Sequence, residues 1–184
     1  LWWSPDPRTV FRTDAMHVSR RLRRTINQAN YAVTLDRAFE QVIRTCAALR
    51  EDREGTWLGP EMRSAYTALF HQGYAHSIEV WQHGELVGGL YGVARGQVFF
   101  GESMFSTIAD ASKIALVWLA RQLSAWGFTL LDGQVGSPHL YRMGAIDLPR
   151  EDFLAMVRAR HSPSVESARW AFELDVPQRP EHLP

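Results

Sequence analysis

Apolar residues recur along this chain with two different periods, and the periods divide it into elements. Leu35, Phe39, Val42, Ile43 and Cys46 follow at three- and four-residue steps, which predicts a helix over 35–49 capped by Thr34. A second helix is predicted over 60–70, opened by Pro60 and stopped by Gly73. Three strand-like runs follow at 75–82, 86–94 and 97–100. His83-Gly84-Glu85 and Arg95-Gly96 separate them as turn signals, so the runs predict an antiparallel meander. Ile114, Leu116, Val117, Leu119, Ala120 and Leu123 mark the apolar side of a long helix over 110–126, ended by Gly127. A strand to 131, a short helix near Leu140, a helix over 149–160 and a last strand over 169–174 complete the series. The opening is different in kind. Prolines in Trp2-Trp3-Ser4-Pro5-Asp6-Pro7-Arg8 push their predecessors to extended geometry, so residues 1–16 read as ordered but irregular.

That order of elements predicts an α+β chain: a mixed, mainly antiparallel sheet flanked by helices, as in the GNAT (acetyltransferase-like) fold. It divides into an opening segment, 1–34, that carries a basic run and reads as a remnant or the edge of an N-terminal region, a GNAT-like domain at 35–176, and a tail at 177–184. No internal repeat or low-complexity stretch interrupts it.

Composition adds three constraints. Hydrophobic residues make up 46% of the 184, enough for one substantial core. Net charge is zero, yet basic residues concentrate in Arg20-Arg21-Leu22-Arg23-Arg24, which keeps a phosphate-bearing partner open. A run this short is by default a solvated helix face. The single Cys46 excludes an internal disulfide and fits a reducing cytoplasm. Its place on an apolar helix face makes it a poor nucleophile. The seven histidines, His71 and His76 among them, show no metal-ligand spacing. No apolar run approaches the roughly 20 residues of a membrane span, and no secretory leader opens the chain. A cytoplasmic protein without a membrane or DNA partner is expected.

The candidate chemistry lies at strand ends. Glu102, within Gly101-Glu102-Ser103-Met104-Phe105-Ser106, follows the run Val98-Phe99-Phe100. Asp132-Gly133-Gln134 follows Phe128-Thr129-Leu130-Leu131. Residues two apart on a strand share a face, so Asp132 and Gln134 are predicted to point into one space, with Gly133 leaving room for a ligand's backbone. A lone acid after a strand would by default cap nearby amides. Two acids and an amide at apolar strand ends suit a pocket that holds polar atoms and moves a proton.

An ordered set of short motifs carries a resemblance. The set comprises Trp2 to Arg8, Gly55-Thr56-Trp57, Ala65-Tyr66, Ala75-His76-Ser77-Ile78-Glu79-Val80-Trp81 and Leu86-Val87-Gly88-Gly89-Leu90-Tyr91-Gly92-Val93. It continues with Gly101 to Ser106, Ala111-Ser112-Lys113, Asp132-Gly133-Gln134-Val135, His139-Leu140 and Met143-Gly144-Ala145. Over residues 2–160 the chain resembles the bacterial leucyl/phenylalanyl-tRNA–protein transferases. The resemblance implies transfer of Leu or Phe, with Met as a further candidate, from aminoacyl-tRNA to the N-terminal Arg or Lys of a protein. The product's new N-terminus would be a bacterial N-degron. Against the family pattern the chain reads as a short form, without the upstream N-terminal domain whose aromatic motif helps hold the tRNA end.

The resemblance also assigns roles. Asp132 and Gln134 would relay the proton of the attacking amine, and Glu102 would hold the donor's α-ammonium group. Leu90, Phe99, Met104, Leu116, Leu119, Leu123 and Leu131 would line the hole for the donor side chain, with Met104 the adaptable element. Trp57 and Tyr66 would meet the donor's adenosine, while Trp2 and Trp3 read as a structural wedge. Arg20, Arg21, Arg23 and Arg24 would contact tRNA phosphates. An aminoacyl ester is already activated, so no cofactor, ATP or metal is expected. Two other readings stand beside this one. A relative that binds tRNA or protein N-termini without transfer is one. An acetyl-CoA-dependent N-acetyltransferase is the other, and it lacks a pyrophosphate loop between Ser103 and Lys113.

Overall fold

The computed structural model describes residues 4–28, 30–54, 57–160, 170, 173 and 174. Its elements are β1 (Arg8–Arg12), α1 (Arg20–Gln28), β2 (Ala32–Leu35), α2 (Phe39–Glu54), α3 (Pro60–His71), β3 (Ala75–Gln82) and β4 (Glu85–Arg95). After these come β5 (Val98–Ser106), α4 (Ala111–Ala125), β6 (Leu130–Gln134), α5 (Pro138–Arg142), β7 (Ile146–Leu148), α6 (Arg150–Ala159) and β8 (Glu173–Leu174). The strands form one sheet in the order β7-β1-β6-β5-β4-β3-β2-β8. Every neighbouring pair is antiparallel except β5 and β6, which α4 connects and which run parallel. This is the mixed, mainly antiparallel sheet with flanking helices that the order of elements predicts.

Two cores sandwich the sheet. Ile78, Val80 and Leu90 pack with α4 residues such as Ile114 and Leu119 and with Leu22 and Ile26 of α1. Tyr91 and Phe105 pack on the other face with Phe39, Val42 and Ile43 of α2 and Tyr66 of α3. Leu90 and Tyr91 are adjacent and go to opposite clusters, as the two-residue period of a strand requires. Helix α4 lies close against β4 because Gly88 has no side chain there: a Cβ would come within 2.5 Å of the Ala111 Cβ.

Several expectations are corrected. The opening segment is not irregular throughout: β1 inserts between β6 and β7, and its pairing overrides the prolines just before it. Thr34 caps no helix. It lies in β2, its buried hydroxyl donates to Glu79, and it accepts from Trp81 Nε1 at 2.8 Å. The amides of Arg37 and Ala38, which lead into α2, instead approach the Glu79 carboxylate of β3 at 3.4 Å. The helix therefore begins at Phe39 and continues to Glu54. The third run extends to Ser106, so Glu102 and Met104 lie inside β5. Trp2, Trp3, Gly55, Thr56, Arg169 and the tail at 177–184 lie outside the described residues. No helix among the described residues is long and apolar enough to cross a membrane.

Candidate active site

Strands β5 and β6 pair only from Val98↔Leu130 to Phe100↔Asp132, and beyond that rung they part. Two bulges mark the parting. Tyr91 and Gly92 of β4 face Ser103 and Gly101, which leaves Glu102 as the extra residue of β5. Thr9 and Val10 of β1 face Gln134 and Asp132, which leaves Gly133 as the extra residue of β6. A bulge bends its strand and re-aims a side chain. Here both bulges open onto a cavity of about 500 Å³ in the wedge between the strands.

The cavity has a polar mouth and an apolar wall. Glu102, Asp132 and Gln134 all line it. Leu90, Met104, Leu116 and Leu131 of the expected side-chain hole also line it, and so does Trp57 at 46% exposure. Phe99, Leu119 and Leu123 do not. They are fully buried in the core behind it, on the same faces but further from the wedge: Leu119 and Leu123 follow Leu116 by one and two turns of α4, and Phe99 pairs with Leu131. Sequence reasoning missed Phe11 and Leu140, which complete the apolar wall from β1 and α5.

The polar groups form a directed network. Gln134 Nε2 donates to Glu102 Oε2 at 3.1 Å and to the Gly101 carbonyl at 2.8 Å. Both neighbours are acceptors, so the amide must present its NH2 to them and keep Oε1 for a ligand. Glu102 also accepts from the Tyr66 hydroxyl. Tyr66 does not line the cavity; it is buried edge-on behind Trp57, with centroids 6.2 Å apart. Its place is under the carboxylate, and of the two expected aromatics Trp57 alone lines the cavity. Burial pushes the Glu102 carboxyl up, and the Gln134 and Tyr66 hydrogen bonds pull against that rise.

Asp132 takes a different place from the one its spacing predicts. Gln134 has φ 63°, in the left-handed region, and with the bulge at Gly133 this breaks simple alternation. The Asp132 carboxylate, with no exposed side-chain surface, turns to the fork of Arg8. It also accepts the Gln134 backbone N–H at 2.9 Å. Burial lifts its carboxyl, while Arg8 and the Gln134 N–H oppose the lift. All of these contacts are donors, which suits a carboxylate. Asp132 thus touches Gln134 through the main chain and not through its side-chain amide. The missing Cβ of Gly133 faces Leu140 Cδ1 at 3.2 Å and the Thr9 carbonyl at 3.4 Å, so it serves packing against α5 and β1.

The basic run lies on α1, where Leu22 N–H donates a cap bond to Ser19 Oγ at 3.2 Å and Leu22 and Ile26 anchor the helix. Arg20, Arg21 and Arg24 are exposed and Arg23 is half-buried. Arg23 lies near enough to Arg121 of α4 to act on it as a like charge.

The fold is the mixed, mainly antiparallel sheet of the GNAT-like class, and the family the chain matches is one of aminoacyl-group transferases. Residues 10–158 match the leucyl/phenylalanyl-tRNA protein transferase family, and the chain belongs to it. It is 55% identical over 177 residues to a leucyl/phenylalanyl-tRNA–protein transferase of Nitratidesulfovibrio vulgaris strain DP4, covering 95% of this chain and 75% of that one. It is 54% identical to the protein of the same name from Alkalilimnicola ehrlichii, covering 96% and 69%. Among solved structures it resembles L-PGS from Bacillus licheniformis, with TM-score 0.51 at 14% identity, over 75% of this chain and 50% of that one. That likeness concerns the fold alone.

Proposed function

We propose that this chain moves Leu or Phe from aminoacyl-tRNA to the N-terminal Arg or Lys of a cytoplasmic protein, creating a bacterial N-degron. The observation that carries this reading, within the family, is the Glu102–Gln134 pair at 3.1 Å on the rim of a cavity walled by Leu90, Met104, Leu116, Leu131 and Leu140. The apolar wall suits an aliphatic or aromatic donor side chain that is not branched at Cβ, and Met104 can adapt to either shape. Trp57 offers a face to the terminal adenine.

The reaction needs an unprotonated acceptor amine and a fixed ester. Glu102, raised by burial, is the acid suited to hold the donor's α-ammonium or to take a proton. Gln134 Oε1 accepts a hydrogen of the attacking amine and turns its lone pair to the ester carbonyl. The new C–N bond forms as the C–O bond to the ribose breaks, and the proton lost by nitrogen leaves with the ribose hydroxyl. Asp132 and Arg8 hold the Gln134 backbone, so Asp132 acts by positioning. In a test with labelled leucyl-tRNA and a peptide beginning with Arg, label should appear at the peptide's N-terminus. No labelled peptide, with donor binding intact, would reduce the chain to a binding protein.

A further inference from the structure

A second, smaller cavity of about 180 Å³ lies beside the first. His17 and Ser19 contribute to it from the segment before α1, Arg21 from α1, Lys113 from α4, and His139 and Arg142 from α5. Its single carboxylate is Asp110, which pairs with Lys113 and stands 3.9 Å from Arg21. Three permanent cations thus face one acid, an excess of two positive charges before either imidazole is counted. A lysine ammonium has three donors, so Lys113 keeps two after meeting Asp110. The junction is built by the backbone: His17 N–H donates to the Met143 carbonyl at 2.9 Å. A Cβ on Gly144 would come within 3.0 Å of His17 N, so the segment before α1 is packed directly on the end of α5.

The two cavities share their walls. Leu140 of α5 lines the large one and His139, its neighbour, lines the small one. Leu116 and Lys113, one turn apart on α4, divide in the same way. Burial lowers His139 below its ordinary value, and Lys113 and Arg142 lower it further, which marks a positive field at this spot.

We propose that this pocket binds a backbone phosphate of the donor's 3′-terminal nucleotides, with Arg21, Lys113 and Arg142 as its charged ligands and the ring N–H groups of His17 and His139 as further hydrogen-bond donors. The inference rests on the donor reading above and deepens it. An ester seated in the large cavity brings the adjoining phosphodiesters to the far side of α5, where Arg21, Lys113 and Arg142 face the second cavity together. Phosphate contacts of this kind fix register without reading sequence.

The test compares two non-hydrolysable donors, an amide-linked leucyl CCA trinucleotide and leucyl-adenosine, which carries no phosphate. Their Kd values are measured by calorimetry with the full chain at several salt concentrations. Arg142→Ala and Lys113→Met should each weaken the trinucleotide about tenfold and reduce its log–log salt slope by about 0.7. Both should leave leucyl-adenosine within twofold. Asp110→Asn, which removes the competing acid, should tighten the trinucleotide, a gain that structural damage would not produce. Millimolar inorganic phosphate should compete with the trinucleotide alone. Equal losses on both probes, or none on either, would overturn the pocket while leaving the transferase reading intact. Failure of the wild-type chain to bind either probe, together with no leucine transfer, would overturn both. Binding of inorganic phosphate without competition against the trinucleotide would show a free-phosphate site and overturn the donor assignment.

Discussion

Arg8 and Asp132 face one another across 124 positions of sequence, with Nε 3.0 and 3.1 Å from the two carboxylate oxygens and Nη2 2.6 Å from Oδ2. The arginine is 11% exposed and the aspartate not at all. The guanidinium also lies 5.1 Å from the Phe153 ring of α6, so one side chain joins β1, β6 and α6 beside the cavity. The pair sets the shape of β6 where Gln134 leaves it.

Removing the arginine strands a buried carboxylate. Arg8→Met is expected to cost about 3–5 kcal/mol in urea unfolding, with much of the loss recovered by Asp132→Asn in the same chain. Arg8→Lys should fall between, since a point charge cannot reproduce the fork. An unchanged urea midpoint in Arg8→Met would show that the pair does not hold the site.

Glu102 ties stability to pH. Its folded pKa is raised from the ordinary 4.5 by burial, so the folded chain binds that proton more tightly than the unfolded one. Its contribution is full below the ordinary value and is lost as pH rises through the raised one. Glu102→Gln removes this dependence. Its Tm should gain on the wild type as pH climbs above 4.5, while transfer falls about a hundredfold or more. Parallel Tm curves for the two chains would contradict this.

The two aromatic side chains near the mouth should separate in kinetics. Trp57→Ala, at a half-exposed position, should leave Tm nearly unchanged and raise the donor KM about tenfold through lost stacking. Tyr66→Phe keeps the buried ring and removes the hydroxyl that meets Glu102. It should lower kcat with little change in donor KM. A KM effect from Tyr66→Phe equal to that of Trp57→Ala would return Tyr66 to the role of base platform.

Met104 is expected to tune the donor. Met104→Ala enlarges the apolar hole, so the kcat/KM ratio of Leu to Phe should drop about tenfold. Competition between leucyl- and phenylalanyl-tRNA reads that ratio directly, and an unchanged ratio would place the side chain elsewhere.

The sequence by itself determined the elements whose signals are local. The meander of β3, β4 and β5 follows from alternating runs and their turns, and Gly84 and Gly96 adopt positive φ where those turns require it. Helices α3 and α4 follow from Pro60, Gly73, Gly127 and a three-to-four period. The acid and the acid–glycine–amide triplet were legible because polar groups at apolar strand ends stand out, and the motif series supplied the family. Tertiary structure decided what depends on distant partners. Strand β1 exists because β6 and β7 flank it. Glu79 serves the start of α2 from another strand. Bulges at Glu102 and Gly133 aim the side chains, Arg8 binds the Asp132 carboxylate, and Phe99, Leu119 and Leu123 recede into the core. Periodicity records which face of an element is buried. Which neighbour it is buried against, and which carboxylate keeps a free edge, arises only when residues far apart in the chain meet.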